Sequence, residues 1–182
     1  VAGSGSSRLK ARTPIPSRRN ISYEIDGRHY SGDVYLSPEA ARAGIVLVPG
    51  VVPAGKDDWR LVNLAYTLAR LQFAVLVPDL PGVRRYQVRE NDVREVADAF
   101  RYLVSRPAWA PQGRAGVGGF SYGAGPVLLA TLQPDVREQV RFVVTLGAYY
   151  DLLSIVTYFT TGYFREENGK KWIYQQPNPY IK

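Results

Sequence analysis

The 182-residue chain has no cysteine and a single histidine. Lacking cysteine, it has no disulfide, no thiolate metal site and no cysteine nucleophile. Lacking a second histidine, it must take any imidazole chemistry from His29 or from residues outside this sequence. A metal site would have only carboxylates to draw on, so neither a metal nor another cofactor is expected. No apolar run approaches the ~20 residues that span a bilayer, and no membrane segment is expected. Acids are missing from residues 1–20, which carry Arg8, Lys10, Arg12, Arg18 and Arg19. Removing these five from the 23 basic residues leaves 18 against 16 acids, so most of the net charge of +7 sits in this stretch. Such a stretch is a solvated stem or a tail for phosphates or membrane surface. Elsewhere no basic stripe is interleaved with aromatics, and nucleic acid is not an expected partner.

What is present is a globular composition, 46% hydrophobic in a length that suits one domain. Residues 1–19 read as a flexible basic linker. Their opening, Val1-Ala2-Gly3-Ser4-Gly5-Ser6-Ser7, reads equally as an exported stem and as an added linker. Residues 20–182 read as one domain. Asn20–Ile25 and Arg28–Leu36 alternate polar and apolar residues around Asp26-Gly27, the signal of an antiparallel hairpin. Gly44–Val48, Phe73–Val77, Arg114–Gly118 and Val140–Leu146 are short apolar runs of the kind buried in parallel sheets. Helical spacing separates them: Trp59–Leu71 capped by Asp57 or Asp58, a helix from Asn91-Asp92 stopped by Pro107, and Tyr122–Leu132. Asp92 and Glu95 stand at capping-box spacing. The expected fold is α/β, a mainly parallel sheet of about six strands with an N-terminal hairpin and helices on both faces. Residues 151–182 differ: with Tyr149 and Tyr150 just before them, they gather aromatics from Tyr158 to Tyr180, which pack a core or line an apolar pocket.

Gly119-Phe120-Ser121-Tyr122-Gly123 is the sharpest chemical signal. A Gly-x-Ser-x-Gly between a strand and a helix is a nucleophile elbow, which holds the serine strained so that Oγ stands clear of the sheet edge. The turn brings the residues two before and two after the serine together, which is why both are glycine. The helix start adds positive potential beside a developing oxyanion.

Val48-Pro49-Gly50, Val77–Gly82 and Gly119–Gly123 together resemble the α/β-hydrolase family, of the dienelactone-hydrolase-like or esterase-like kind, over roughly residues 20–150. The resemblance implies an α/β-hydrolase fold lacking its C-terminal strands, since about six strands are readable where the family has about eight. It implies Ser121 as nucleophile and the backbone N–H groups of Tyr122 and Val51 as oxyanion donors. Val52 is the alternative to Val51, because Pro49-Gly50 stands where the family often has His-Gly. Dienelactone hydrolases proper use cysteine; serine here points to a small-molecule carboxylic ester or lactone. The family's base follows its last strand, so the sequence is expected to be a fragment or the ordered part of a longer enzyme. His29, on the hairpin, is far from the elbow in this fold. Asp151, after the sixth strand, is the candidate acid, with capping of the next helix as its other reading.

Two other functions fit parts of the sequence. Gly50–Lys56 fits the first seven positions of a P-loop, but Asp57 replaces the Ser or Thr that binds Mg²⁺, and Pro53 removes an N–H from the phosphate cradle. The lone histidine also suits a catalytically inactive, hydrolase-like binding module. The strand Val140–Leu146, if uncovered, is expected to drive self-association.

Overall fold

Asp26 and Gly27 both take positive φ, 50° and 75°, the geometry of a two-residue hairpin turn. The computed structural model of the protein describes residues 5–166, 169 and 171–177. Residues 1–4 of the expected linker, and Tyr180 of the aromatic stretch, lie outside them. The chain divides into two units, Val1–Ala148 and Tyr149–Lys182.

In the first unit a short helix α1 (Arg8–Arg12) precedes the strands β1 (Ser17–Ile25), β2 (Arg28–Leu36) and β3 (Ala43–Val48). Then come α2 (Trp59–Arg70), β4 (Phe73–Pro78), the single turn α3 (Pro81–Arg84) and α4 (Asn91–Val104). The unit closes with β5 (Ala115–Phe120), α5 (Ala124–Ala130) and β6 (Val140–Leu146). The six strands form one sheet in the order β1-β2-β4-β3-β5-β6. β1 and β2 are antiparallel to each other, and β2 to β4; the other pairs are parallel.

Strand alternation sorts the core into two layers. Tyr35, Ile45, Leu47, Val75 and Val77 pack with Leu61, Ala65 and Ala69 of α2. The alternate residues Val34, Val46, Val48 and Leu76 are buried too, as are Val96, Ala97, Phe100 and Leu103 of α4. Gly44 of β3 faces this second layer, where a Cβ would lie 2.9 Å from the Leu103 side chain. Asp58 caps α2, accepting from the Arg60 N–H at 3.0 Å. No helix among the described residues is long and apolar enough to cross a membrane.

Three sequence expectations change. The basic linker is not featureless: Arg8–Arg12 is helical, and Ser17–Arg19 already belong to β1, because Arg18 has a buried partner in Asp33. Asp92 and Glu95 form no capping box. Asp92 lies inside α4 and accepts instead from the Tyr122 hydroxyl. The helix after β5 is shorter than expected, because residues Ser121–Gly123 form a 3-10 turn before α5.

The second unit holds α6 (Leu152–Thr161) and a ribbon of β7 (Tyr163–Arg165) against β8 (Trp172–Tyr174). Its aromatics pack on one another: Tyr158 edge-on to Phe164 at 5.9 Å, and Tyr163 to Tyr174 at 5.3 Å. Gly162 ends α6 at φ 78°, a left-handed cap.

Two buried carboxylates tie the hairpin side of the first unit together. Asp33 accepts from Arg18, Asn20 and Lys56. Asp98 of α4, fully buried, accepts from Arg28 and Tyr30 of β2 and from Arg94 and Arg101 of its own helix. Burial pushes the Asp98 carboxyl up, but the hydrogen bonds from Arg28, Tyr30 and Arg94 outweigh it and hold the group below its ordinary value. A depressed carboxyl contributes stability above its unfolded pKa, near 4, and loses it as pH falls through the lower folded value. Asp98→Ala should therefore cost about 3 kcal/mol at neutral pH, read as a lower urea midpoint. The gap from the parent should close as both are titrated into the acid range.

Candidate active site

Ser121 directly follows the last residue of β5, is exposed, and has a φ of 49°. Left-handed backbone at a non-glycine residue costs on the order of 1–3 kcal/mol and persists only where the surroundings impose it. Here they do so through close backbone approach. A Cβ on Gly119 would lie 2.6 Å from the Gly123 carbonyl oxygen. A Cβ on Gly123 would collide with the Pro49 carbonyl oxygen and stand 2.9 Å from that of Val48. The two glycines let the turn fold on itself and lie against the end of β3.

Two further loops come to Ser121. A Cβ on Gly50, after β3, would be 3.0 Å from Ser121 Cβ and 3.7 Å from its Oγ. Gly147, just past β6, has φ 71°, and its Cβ would sit 3.7 Å from Ser121 N and Cα. Parallel pairing explains the convergence. β3, β5 and β6 are neighbours running the same way, so their C-terminal ends release chain at one sheet edge. Val51 and Val52 follow Gly50 and are half-buried. Tyr122 is buried, and its hydroxyl donates to Asp92 Oδ2 at 2.8 Å, tying the turn to the first turn of α4.

His29 is a residue of β2, highly exposed, 3.5 Å from Glu24. Two strands, β4 and β3, separate it from β5; three strand spacings put it ~14 Å away laterally. Asp151 belongs to the second unit and caps α6, accepting from the Leu153 N–H at 2.9 Å and the Ser154 hydroxyl at 2.6 Å. The Ser154 hydrogen bonds hold its carboxyl below the ordinary value. Lys56 of the P-loop-like stretch is nearly buried and points at Asp33, 2.9 Å away, and Asp57. Residues Gly55–Asp57 form a 3-10 turn pinned by these pairs, which leaves no cradle for phosphate. Among the described residues no group of three or more His, Asp or Glu is placed to hold a metal ion.

No family model matches the chain, and no curated protein matches it. Solved structures do. A dienelactone hydrolase from Anabaena variabilis ATCC 29413 is 22% identical, with TM-score 0.57 over 72% of this chain and 63% of that one. A dienelactone hydrolase-like promiscuous phosphotriesterase from metagenomic libraries is 19% identical, with TM-score 0.57 over 73% and 59%. Brefeldin A esterase, a bacterial homologue of human hormone sensitive lipase, is 17% identical, with TM-score 0.59 over 77% and 42%.

The chain has the α/β-hydrolase fold. It spans between 42% and 63% of the length of these hydrolase-fold structures.

Sequence reasoning missed two features of this corner of the hydrolase fold. The Asp92–Tyr122 hydrogen bond had one signal, an acid next to the apolar face of α4. Gly147 had none beyond its place after an apolar run. The packing at Gly123 is tested by Gly123→Ala. The added methyl meets two carbonyl oxygens, which cannot retreat without moving β3, so a loss of about 2–3 kcal/mol is expected. It should appear as a lower thermal midpoint, and an unchanged midpoint would contradict the close approach.

Proposed function

We propose that the protein carries the nucleophile of a serine hydrolase acting on a small-molecule carboxylic ester or lactone. The observation that carries this reading is an exposed serine in left-handed backbone at the C-terminal end of β5, with glycines on every side where another chain segment approaches. Strain of that kind marks functional turns. The hydrolase and esterase neighbours support it at the level of fold.

In this reading Ser121 Oγ attacks the carbonyl carbon while its proton passes to a general base. The carbonyl oxygen, now negative, is received by the backbone N–H groups of Tyr122 and Val51. The carbon–oxygen bond to the leaving group then breaks, the alcohol departs with the proton, and the acyl group stays on Ser121 until water releases it. Residues 20–182 form the N-terminal part of the domain, and a C-terminal part supplies the base. Asp151 is the acid of this scheme only if it gives up its bonds to α6, so the C-terminal part is the better source of that group as well. The remoteness of His29 keeps one rival in play, an inactive hydrolase-like binding module.

Fluorophosphonate labelling separates the two. The full gene product should label at Ser121 and hydrolyse an aryl ester. Ser121→Ala should abolish both and leave the circular dichroism spectrum and thermal midpoint unchanged. Turnover retained in that variant would refute the assignment. The 182-residue chain alone should not label.

The proposal extends to association. β6 is an edge of the sheet among the described residues, with Val144 54% and Leu146 68% exposed. Apolar, β-branched edges pair with other chains. The isolated chain should sediment as an oligomer, and Val144→Lys should shift it towards the monomer.

A further inference from the structure

Asp92, in the first turn of α4, is fully buried. One of its oxygens, Oδ2, accepts from the Tyr122 hydroxyl at 2.8 Å. The other, Oδ1, is buried with no hydrogen-bond partner among the described residues. Burial and the Asp92 charge both push the neighbouring Glu95 carboxyl up, so Asp92 sits beside another acid. Positive potential at the start of α4 offsets part of the cost of burying the charge. A half-partnered buried carboxylate is still a poor brace for a core. Asp92→Val together with Tyr122→Phe would fill much the same space with nothing to desolvate.

What the pair gives the molecule is a direction. The peptide that joins Ser121 to Tyr122 carries the Tyr122 N–H, and its orientation follows the Ser121 backbone. Ser121 is held at φ 49°. Relaxation towards the ordinary helical value near −60° would turn that N–H away. Gly50, Gly119 and Gly123 let neighbouring main chain approach the turn, but they exert no pull on it. The Tyr122 ring does: it is buried, and Asp92 holds its far end.

We propose that Asp92 is a positioning residue for ester hydrolysis at Ser121. It holds the Tyr122 hydroxyl so that the Tyr122 N–H stays aimed at the negative oxygen formed on the substrate. Asp92 touches no reacting atom, and it acts through an accepted hydrogen bond rather than through its charge. This role rests on the hydrolase reading of Ser121.

The test measures aryl-ester kinetics, the rate of fluorophosphonate labelling and the thermal midpoint in the full gene product. Tyr122→Phe should lower kcat about thirtyfold, less than the 10²–10³ lost with an oxyanion donor itself. KM should change less than twofold, and the labelling rate should fall with kcat. Asp92→Asn keeps an acceptor oxygen for the hydroxyl and should stay within about threefold of the parent. The double variant Asp92→Val with Tyr122→Phe separates positioning from support. It leaves neither partner unmatched, so the midpoint lost in Tyr122→Phe should return, while kcat stays low. Recovery of kcat together with the midpoint would reduce the pair to a structural brace and overturn the proposal. So would a folded Tyr122→Phe protein with parental kcat, or an Asp92→Asn loss as large as that of Tyr122→Phe. A parent that does not label at Ser121 would overturn the hydrolase reading, and the role of Asp92 with it; a parent that labels isolates the failure to Asp92.

Discussion

Backbone-to-backbone contact at the end of β5 is the constraint on which the rest of the first unit depends. Gly119, Gly123 and Gly50 have no side chains, so three stretches of main chain meet where side chains would hold them apart. That contact forces Ser121 into left-handed backbone and sets β3 hard against the turn. It also fixes where α5 starts, and through Tyr122 it reaches the first turn of α4. A strained residue survives because the two-layer core around it is too well packed to relax.

Charge plays the complementary part on the hairpin side. Of the five basic residues that look like a free tail in the sequence, Arg18 is spent inside the fold. Arg18 pairs with Asp33 and Asp57, and Lys56 pairs with the same two acids. Arg70 of α2 donates to the Thr13 and Pro14 carbonyl oxygens and so holds down the chain before β1. Arg28, Arg94 and Arg101 converge on Asp98. These arginines act as multi-pronged donors that join elements far apart in the chain.

The strands were legible because their apolar runs are short, β-branched and bounded by turn residues; β6 is found at Val140–Leu146 as read. The hairpin was legible because Asp26-Gly27 tolerates the positive φ that a two-residue turn requires at both positions. The serine turn was legible because its spacing encodes a steric requirement rather than a preference. What escaped was whatever depends on a partner far away in sequence. The acid beside the apolar face of α4 signals that Asp92 is buried but not that its partner is Tyr122, thirty residues on, and nothing near Arg18 announces Asp33 across the hairpin. Capping-box spacing at Asp92 and Glu95 pointed to a local bond, and the tertiary one won because α4 buries that face. The P-loop likeness of Gly50–Lys56 failed for the same reason, since the lysine found a carboxylate, Asp33, outside its own loop.

The position of β3 has a consequence for how the chain assembles. β3 is made early, yet its partners on either side come later. Phe73–Pro78 pairs with it some thirty residues on, and Ala115–Phe120 some seventy residues on. Between those two events one flank of the sheet's central strand stands open, with its backbone N–H and C=O groups unpaired on that side. Contacts so distant along the chain close slowly. During synthesis the polypeptide therefore passes through an interval in which β3 is complete before the strand that pairs with its second flank has been made.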